Sequence, residues 1–178
     1  KSIYETVIKG TFKYGRRCED IHTDIQNKLL DAAGDLALKL HTARSRNDQV
    51  VFAVKAYCKT ELAKLIAKIS RLEDAIDTLA FKNKDLVLPG FTHMQHAQPV
   101  YAKDYLKAHV RMLNRDAVRL TAISSSIKLT MGAGALAGTP MAAGLYNVSI
   151  PGLKIEAAAN SLDAVSDRDF VIEILSAL

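Results

Sequence analysis

The sequence has no tryptophan, only two cysteines and no long apolar run. No stretch approaches the roughly 18 uncharged apolar residues of a membrane-spanning helix, so the sequence offers no candidate span. The first residues, KSIYETVIKG, lack the apolar core and the small-residue cleavage site of a signal peptide. They also lack an initiator methionine, so we expect the chain to begin inside a longer protein.

The two cysteines, Cys18 and Cys58, are far apart in sequence and match no metal-ligand spacing. We therefore expect no metal site. Cys58 falls on the apolar face of a predicted helix, which favours a buried free thiol. Both cysteines fit a reduced compartment, which predicts a cytoplasmic protein.

The charge is modest and evenly spread. Lysine and arginine number 24 against 19 acidic residues, a net charge of +5. A nucleic-acid-binding protein would concentrate such an excess in a patch with interleaved aromatic residues. Here the basic residues are scattered along the chain, so a small anionic ligand accounts for local arginines better than a nucleic acid does.

Apolar residues recur every three or four positions along two long stretches. The first predicts a helix from about Ser45 to Lys82, and the second predicts a helix from about Val100 to Lys128. Between them, FKNKDLVLPGFTH contains a Pro-Gly pair and is expected to be a loop. The glycine-rich TMGAGALAGTPMAAG and the later VSIPGLK are expected to be loops as well.

Two further helices are predicted, one over Glu19–Ala33 and one that begins near Asp167 and is unfinished where the sequence stops. Period-two alternation is sustained nowhere, so the predicted class is all-α, with helices long enough to span a bundle. One long helix exposes more apolar surface than two neighbours can cover. We therefore expect the remainder to be buried against other subunits.

Three polar clusters interrupt the helices, each at or near a helix start: HTARSRNDQ, LPGFTHMQHAQP and NSLDAVSDRD. A helix N-terminus suits an anion, because its N–H groups are unpaired and it is the positive end of the helix dipole. Arg44 and Arg46 add positive charge, and His93 titrates near neutral pH. The neutral donors of the first two clusters are Thr42, Ser45, Asn47, Thr92 and Gln98. Together they indicate an anion-binding site with one proton-transfer group.

Each cluster also has a structural interpretation. Ser45 or Asn47 could serve only as a helix cap, and either arginine could be solvated or salt-bridged. Asp167 and Asp169 favour the first turn of a helix for dipole reasons alone. The remaining histidines are interpreted as structural or surface residues: His22, His41, His96 and His109.

The motifs HTARSRNDQV, LPGFTHMQHAQPV and NSLDAVSDRDFV resemble those of the argininosuccinate lyase family. This family belongs to the aspartase/fumarase superfamily and includes the lens delta-crystallins. EDIH, at Glu19–His22, and MGAGALAGT, at Met131–Thr139, are similar to the same family. The resemblance covers essentially the whole chain in the right order. One departure is His96, which stands where many members carry arginine.

The resemblance implies an all-α, long-helix bundle that cleaves argininosuccinate into arginine and fumarate without a cofactor. It implies a homotetramer whose active sites draw on different subunits. Residues 1–43 would end an N-terminal helical domain, and residues 44–178 would begin the central bundle domain. His93 matches the proton-transfer histidine. The matching substrate-binding residues are Ser45, Arg46, Asn47, Thr92 and Gln98.

Members of the family carry a second proton-transfer group, a serine, on a mobile loop containing MPQKKNP. This motif is absent from the sequence, and we expect the loop beyond Leu178. The 178 residues alone are therefore expected to be inactive. Whether His93 acts as acid or base is left open. Two alternatives also stay open: a catalytically silent, crystallin-like protein, and another fumarate-forming lyase such as adenylosuccinate lyase.

Overall fold

The computed structural model describes residues 2–15, 17–42, 44–141, 148–150 and 153–178. Helix dominates, which confirms the predicted class, and a few short strands accompany it. The helices are α1 (Ser2–Ile8), α2 (Ile21–Ala33), a 3-10 helix (Gly34–His41), α3 (Arg46–Lys82), α4 (Ala102–Ser126), α5 (Ser161–Ser166) and α6 (Asp169–Ala177). The strands are β1 (Val87–Thr92), β2 (Gln95–Tyr101), β3 (Leu129–Met131), β4 (Val148–Ile150) and β5 (Leu153–Ala157).

The chain divides into two compact units, and the division falls within α3. Unit 1 comprises Lys1–Ala53 and Leu129–Asp167, and unit 2 comprises Val54–Lys128 and Arg168–Leu178. The domain boundary predicted between residues 43 and 44 stays a prediction.

Unit 2 is built around the apolar faces of α3, α4 and α6. Leu62, Leu120, Ile127 and Phe170 are buried together, and the half-buried residues packed against them include Cys58. These positions repeat at helical spacing, so each helix turns one apolar stripe inward. Lys59 of α3 adds a polar link, because its Nζ donates to the Ser124 carbonyl at 2.6 Å.

Unit 1 contains α2, the 3-10 helix, the start of α3 and a three-stranded sheet. Helix α2 begins at its cap residue Asp20 and ends at Gly34, whose φ of 58° lies in the left-handed region that favours glycine. The sheet has the order β3-β5-β4, with β3 parallel and β4 antiparallel to β5. Its strands are short, with three to five residues each.

Several segments differ from the predicted loops and helix starts. The segment between α3 and α4 forms an antiparallel hairpin of β1 and β2. VSIPGLK supplies β4 and the start of β5, and β3 lies at the start of the predicted glycine-rich loop. Helix α4 begins at Ala102 instead of about Val100, because the preceding residues pair in β2. The last helix begins at Asp169 instead of near Asp167.

Both cysteines are free thiols. Cys58 is half-buried, and this burial raises the pKa of its thiol. Cys18 donates a hydrogen bond to Asp24 Oδ1 at 3.1 Å, which raises the pKa of the Cys18 thiol. None of the helices in the described part of the chain is long and apolar enough to span a membrane.

Candidate functional site

The first polar cluster lies at the N-terminus of α3, where Ser45 caps the helix. Ser45 Oγ accepts a hydrogen bond from the Asn47 N–H at 3.2 Å. The Ser45 carbonyl accepts the first helical bond, from the Gln49 N–H at 3.2 Å. The capping interpretation of Ser45 is therefore observed. The substrate-binding roles of Ser45 and Asn47 stay predictions.

Arg46 connects the start of α3 to the start of α2. Its Nε lies 3.2 Å from Asp20 Oδ2, and its terminal nitrogens donate to Thr23 Oγ1 at 3.0 Å and Gln49 Oε1 at 2.9 Å. Three protein side chains thus hold this guanidinium in one orientation. The salt-bridge interpretation of Arg46 is observed, and its role as a substrate ligand stays a prediction.

Asp20 and Thr23 form the other half of this connection, and neither was among the predicted site residues. Asp20 Oδ1 accepts from the Thr23 N–H at 2.7 Å and from Thr23 Oγ1 at 2.9 Å. The bond from the Thr23 N–H, with the nearby charge of Arg46, holds the pKa of Asp20 below its usual value. An aspartate three residues before a threonine at a helix start is a capping signal that could have identified the pair.

A glycine-rich segment, Gly132–Gly138, lies beside the start of α3. Asn47 Nδ2 donates to the Ala135 carbonyl at 3.0 Å. Asp48 is 4% exposed, and its Oδ2 accepts from the Gly134 N–H at 2.9 Å. Burial raises the pKa of Asp48, while the N–H bonds from the glycine-rich segment and from Ser45 act in the opposite direction. The sequence could have identified Asp48 by its position three residues after Ser45, which is the spacing of a capping box.

The third polar cluster begins at the cap of α5. Asn160 Oδ1 accepts from the N–H groups of Leu162 and Asp163 at 3.0 and 3.1 Å. A Cβ placed on Gly138 would lie 3.2 Å from Ser161 Oγ, so this cap adjoins the glycine-rich segment. Unit 1 therefore brings the first and third clusters to the same segment of chain.

A cavity of about 200 Å³ also lies in unit 1, next to the start of α3. Its polar lining includes His22, His41, Arg44 and Gln49, and its apolar lining comes from α2 and the 3-10 helix. Burial lowers the pKa of His22. Arg44 gives this cavity a fixed positive charge, which suits an anionic group.

The second polar cluster lies in unit 2, on the β1–β2 hairpin. Thr92 pairs with Gln95, so His93 and Met94 form a two-residue turn. Both have positive φ, 49° and 62°, the pattern of a type I′ turn. The side chains of Thr92, His93 and Gln98 are exposed. His93 therefore lies at the tip of the hairpin.

The hairpin also contains a bulge that involves a predicted site residue. Pro89 pairs with Pro99 and Phe91 with His96, so Gly90 faces two residues of β2. A Cβ on Gly90 would clash with the Gln98 carbonyl oxygen. Only glycine permits this approach, which fixes the backbone at Gln98.

The predicted site residues thus form two groups. Ser45, Arg46 and Asn47 lie together in unit 1, and Thr92, His93 and Gln98 share the hairpin of unit 2. Within the described ranges, His, Cys, Asp and Glu side chains form no group of three or more that could hold a metal ion.

Comparison with known proteins gives consistent matches. A family model described as "Lyase" matches residues 5–178. Argininosuccinate lyase from Janthinobacterium sp. (strain Marseille) is 40% identical over 176 residues, which cover 98% of this chain and 38% of that protein. Two structures of EDDS lyase, one in complex with formate and one a variant with bound fumarate, superpose with TM-scores of 0.75 at 25% identity. Each match covers 86% of this chain and 31% of the EDDS lyase chain, so the chain spans well under half the length of these relatives.

Proposed function

Because the chain belongs to the lyase family of the aspartase/fumarase superfamily, as its motifs predict, we propose that the full-length protein is an argininosuccinate lyase. It would cleave argininosuccinate into arginine and fumarate, a step of arginine biosynthesis, without a cofactor. The observation that carries the proposal is the start of α3, where Ser45 caps the helix, the Asn47 amide is held by the Ala135 carbonyl, and the preceding Arg44 lines a cavity. The 40% identity to an argininosuccinate lyase supports this choice of substrate.

The reaction removes a proton from the carbon next to a carboxylate and then breaks the adjacent C–N bond. The carbanion charge spreads onto that carboxylate, which needs fixed donors as it becomes dianionic. Ser45, Asn47 and Thr92 would supply these donors, with Arg46 and Gln98 as further substrate contacts. His93 would move one of the two protons, either from carbon or to the departing guanidinium nitrogen.

The direct test is an assay of the full-length protein with argininosuccinate, in which fumarate is followed by its absorbance. We expect fumarate release from argininosuccinate and none from adenylosuccinate. Release from adenylosuccinate alone would assign the protein to the other lyase. A folded protein that releases fumarate from neither substrate would support the crystallin-like alternative and refute the proposal.

Asn47→Ala tests the role of the first cluster. It should lower kcat by about a hundredfold or more, because a donor aimed at developing charge contributes roughly 3 to 4 kcal/mol. Asn83→Ala is the matched control, since Asn83 Nδ2 donates to the Leu79 carbonyl at 2.9 Å at the other end of α3. Each variant loses one amide–carbonyl bond, worth about 1 kcal/mol of stability. Equal kcat values for the two variants would leave Asn47 only its structural role.

We also propose a cytoplasmic homotetramer with active sites shared between subunits. The apolar stripe of α3 includes three residues that are 37 to 49% exposed in the single chain: Val54, Leu72 and Leu79. Burial of this stripe against other subunits would remove it from water. Light scattering of the full-length protein should give the mass of four chains. A monomer at micromolar concentration would refute the assembly.

A further inference from the structure

Asp48 lies in the first turn of α3, and the proposed mechanism gives it no direct task. Its side chain is buried, and its Oδ2 accepts the Gly134 N–H at 2.9 Å. The backbone N–H groups of Ala133 and Ser45 also lower the pKa of this carboxyl, against the effect of burial. One buried side chain thus meets backbone donors from two segments, and 86 positions separate Asp48 from Gly134.

The bond to the Gly134 N–H suits a carboxylate. An ionised carboxylate offers about four acceptor sites and no donor, so every part of it can accept from the backbone N–H groups around it. An asparagine would turn its amino group toward at least one of them. The charge of Asp48 is tolerated in the interior because it is hydrogen-bonded and lies at the positive end of the α3 dipole.

Asn47, the neighbour of Asp48, contacts the same glycine-rich segment. Its Nδ2 donates to the Ala135 carbonyl, one residue after Gly134. The start of α3 and this segment are therefore joined twice, by adjacent residues. If the Asp48 bonds were lost, the segment could shift and change the orientation of the Asn47 amide.

We propose that Asp48 is a positioning residue, which holds Ser45 and Asn47 in the geometry that binds the reacting carboxylate. The inference rests on the proposed function, because it assigns those two residues to the substrate. It adds a requirement that the mechanism alone does not contain. The glycine-rich segment must stay docked on the start of α3 for the donors to point correctly.

The test is Asp48→Asn in the full-length protein, with kcat and KM measured on argininosuccinate. We expect kcat to fall by about tenfold to a hundredfold and KM by much less, since small misplacement acts chiefly on the transition state. Asp104→Asn is the matched control, because Asp104 occupies the first turn of α4 and is exposed. That control should keep its kcat. Equal kcat values for both variants and the wild type would overturn the inference.

A double-variant cycle separates positioning from general destabilisation. If Asp48 acts through Ser45 and Asn47, then Asp48→Asn combined with Asn47→Ala should lose less kcat than the product of the two single losses. If the two single reductions in kcat multiply in the double variant, the residues act independently, and the inference is overturned. Should Asp48→Asn fail to fold, Asp48→Ser removes the carboxylate with a smaller side chain, and a normal kcat for that variant would also overturn the inference.

Hydrogen exchange distinguishes failure of this inference from failure of the proposed function. The Gly134 amide should be protected in the wild type and exchange faster in Asp48→Asn, but not in Asp104→Asn. Unchanged exchange would refute the Asp48 contact whether or not the protein is active. A wild type that is inactive on argininosuccinate would instead refute the function on which the inference rests.

Discussion

Gly90→Ala is the substitution whose effect the structure defines most sharply. The added Cβ would clash with the Gln98 carbonyl oxygen and lie 3.5 Å from Val100 Cγ1. The oxygen belongs to the backbone of β2, so no side-chain rotation can relieve the contact. The two strands must separate at the bulge instead.

The size of the effect follows from this separation. A comfortable carbon–oxygen contact is about 1 Å longer, and overpacking of this kind costs about 1 to 3 kcal/mol. We expect a loss near the upper end, about 2 to 3 kcal/mol, because neighbouring strand hydrogen bonds lengthen as well. The hairpin also carries Thr92 and His93, so kcat should fall with stability.

Urea unfolding of the full-length protein measures this loss, and Gly10→Ala supplies the comparison. Gly10 has φ of 66° but nothing within 4 Å of an added Cβ, so its variant reports backbone strain without a clash. Strain of that kind costs about 1 to 2 kcal/mol. If Gly90→Ala loses no more stability than Gly10→Ala, or keeps normal kcat, the reasoning about the bulge is wrong.

Three further outcomes are expected. Met94→Gly should raise the unfolding free energy by about 1 kcal/mol, because glycine adopts positive φ without strain; a lower thermal midpoint would contradict this. Lys59→Met should lower the unfolding free energy by about 2 kcal/mol, because it removes the hydrogen bond to the Ser124 carbonyl. Lys64→Met removes only an exposed ion pair with Glu61 and should change the urea midpoint little. Equal shifts of the two midpoints would refute the argument. A backbone N–H holds the pKa of Asp20 below its ordinary 3.8, so this stabilisation is present above pH 3.8 and lost as the pH falls. The difference in unfolding free energy between wild type and Asp20→Asn should therefore narrow as the pH falls below 3.8, and a constant difference would exclude the effect.

The long helices were predictable because their pattern repeats over many turns. Helix α3 was expected from about Ser45 and is observed over Arg46–Lys82, and α4 differs from its prediction by two residues at each end. The hairpin between them was not predicted. β2 is exposed at nearly every position, and neither VLPGFT nor QHAQPVY alternates apolar with polar residues. Pro89 and Gly90 also signal a loop when the pairing partner is unknown.

The site was predictable in its residue types but not in its contacts. The cluster at the start of α3 indicates an anion site because donors and arginines are dense there. The partners that fix it are distant in sequence, as Arg46 pairs with Asp20 and Asp48 bonds to Gly134. An aspartate in a first turn already has a sufficient local explanation in the helix dipole. Only the fold brings the second segment to it.

The cluster alone does not separate an enzyme from a silent structural relative, because Ser45, Arg46 and Asp48 all have structural partners. The turn at His93 and Met94 bears on this choice between an enzyme and a silent relative. Two-residue turns with positive φ at both positions favour Asn-Gly or Asp-Gly, and a non-glycine residue there costs of order 1 to 3 kcal/mol. A purely structural hairpin gains nothing from that strain. A hairpin that must hold an exposed imidazole at its tip does gain, since the paired strands and the Gly90 bulge restrict where His93 can lie. If His93 performs the proposed proton transfer, this strain has a functional reason, and replacing the turn residues with Asn-Gly should raise stability while it abolishes fumarate release.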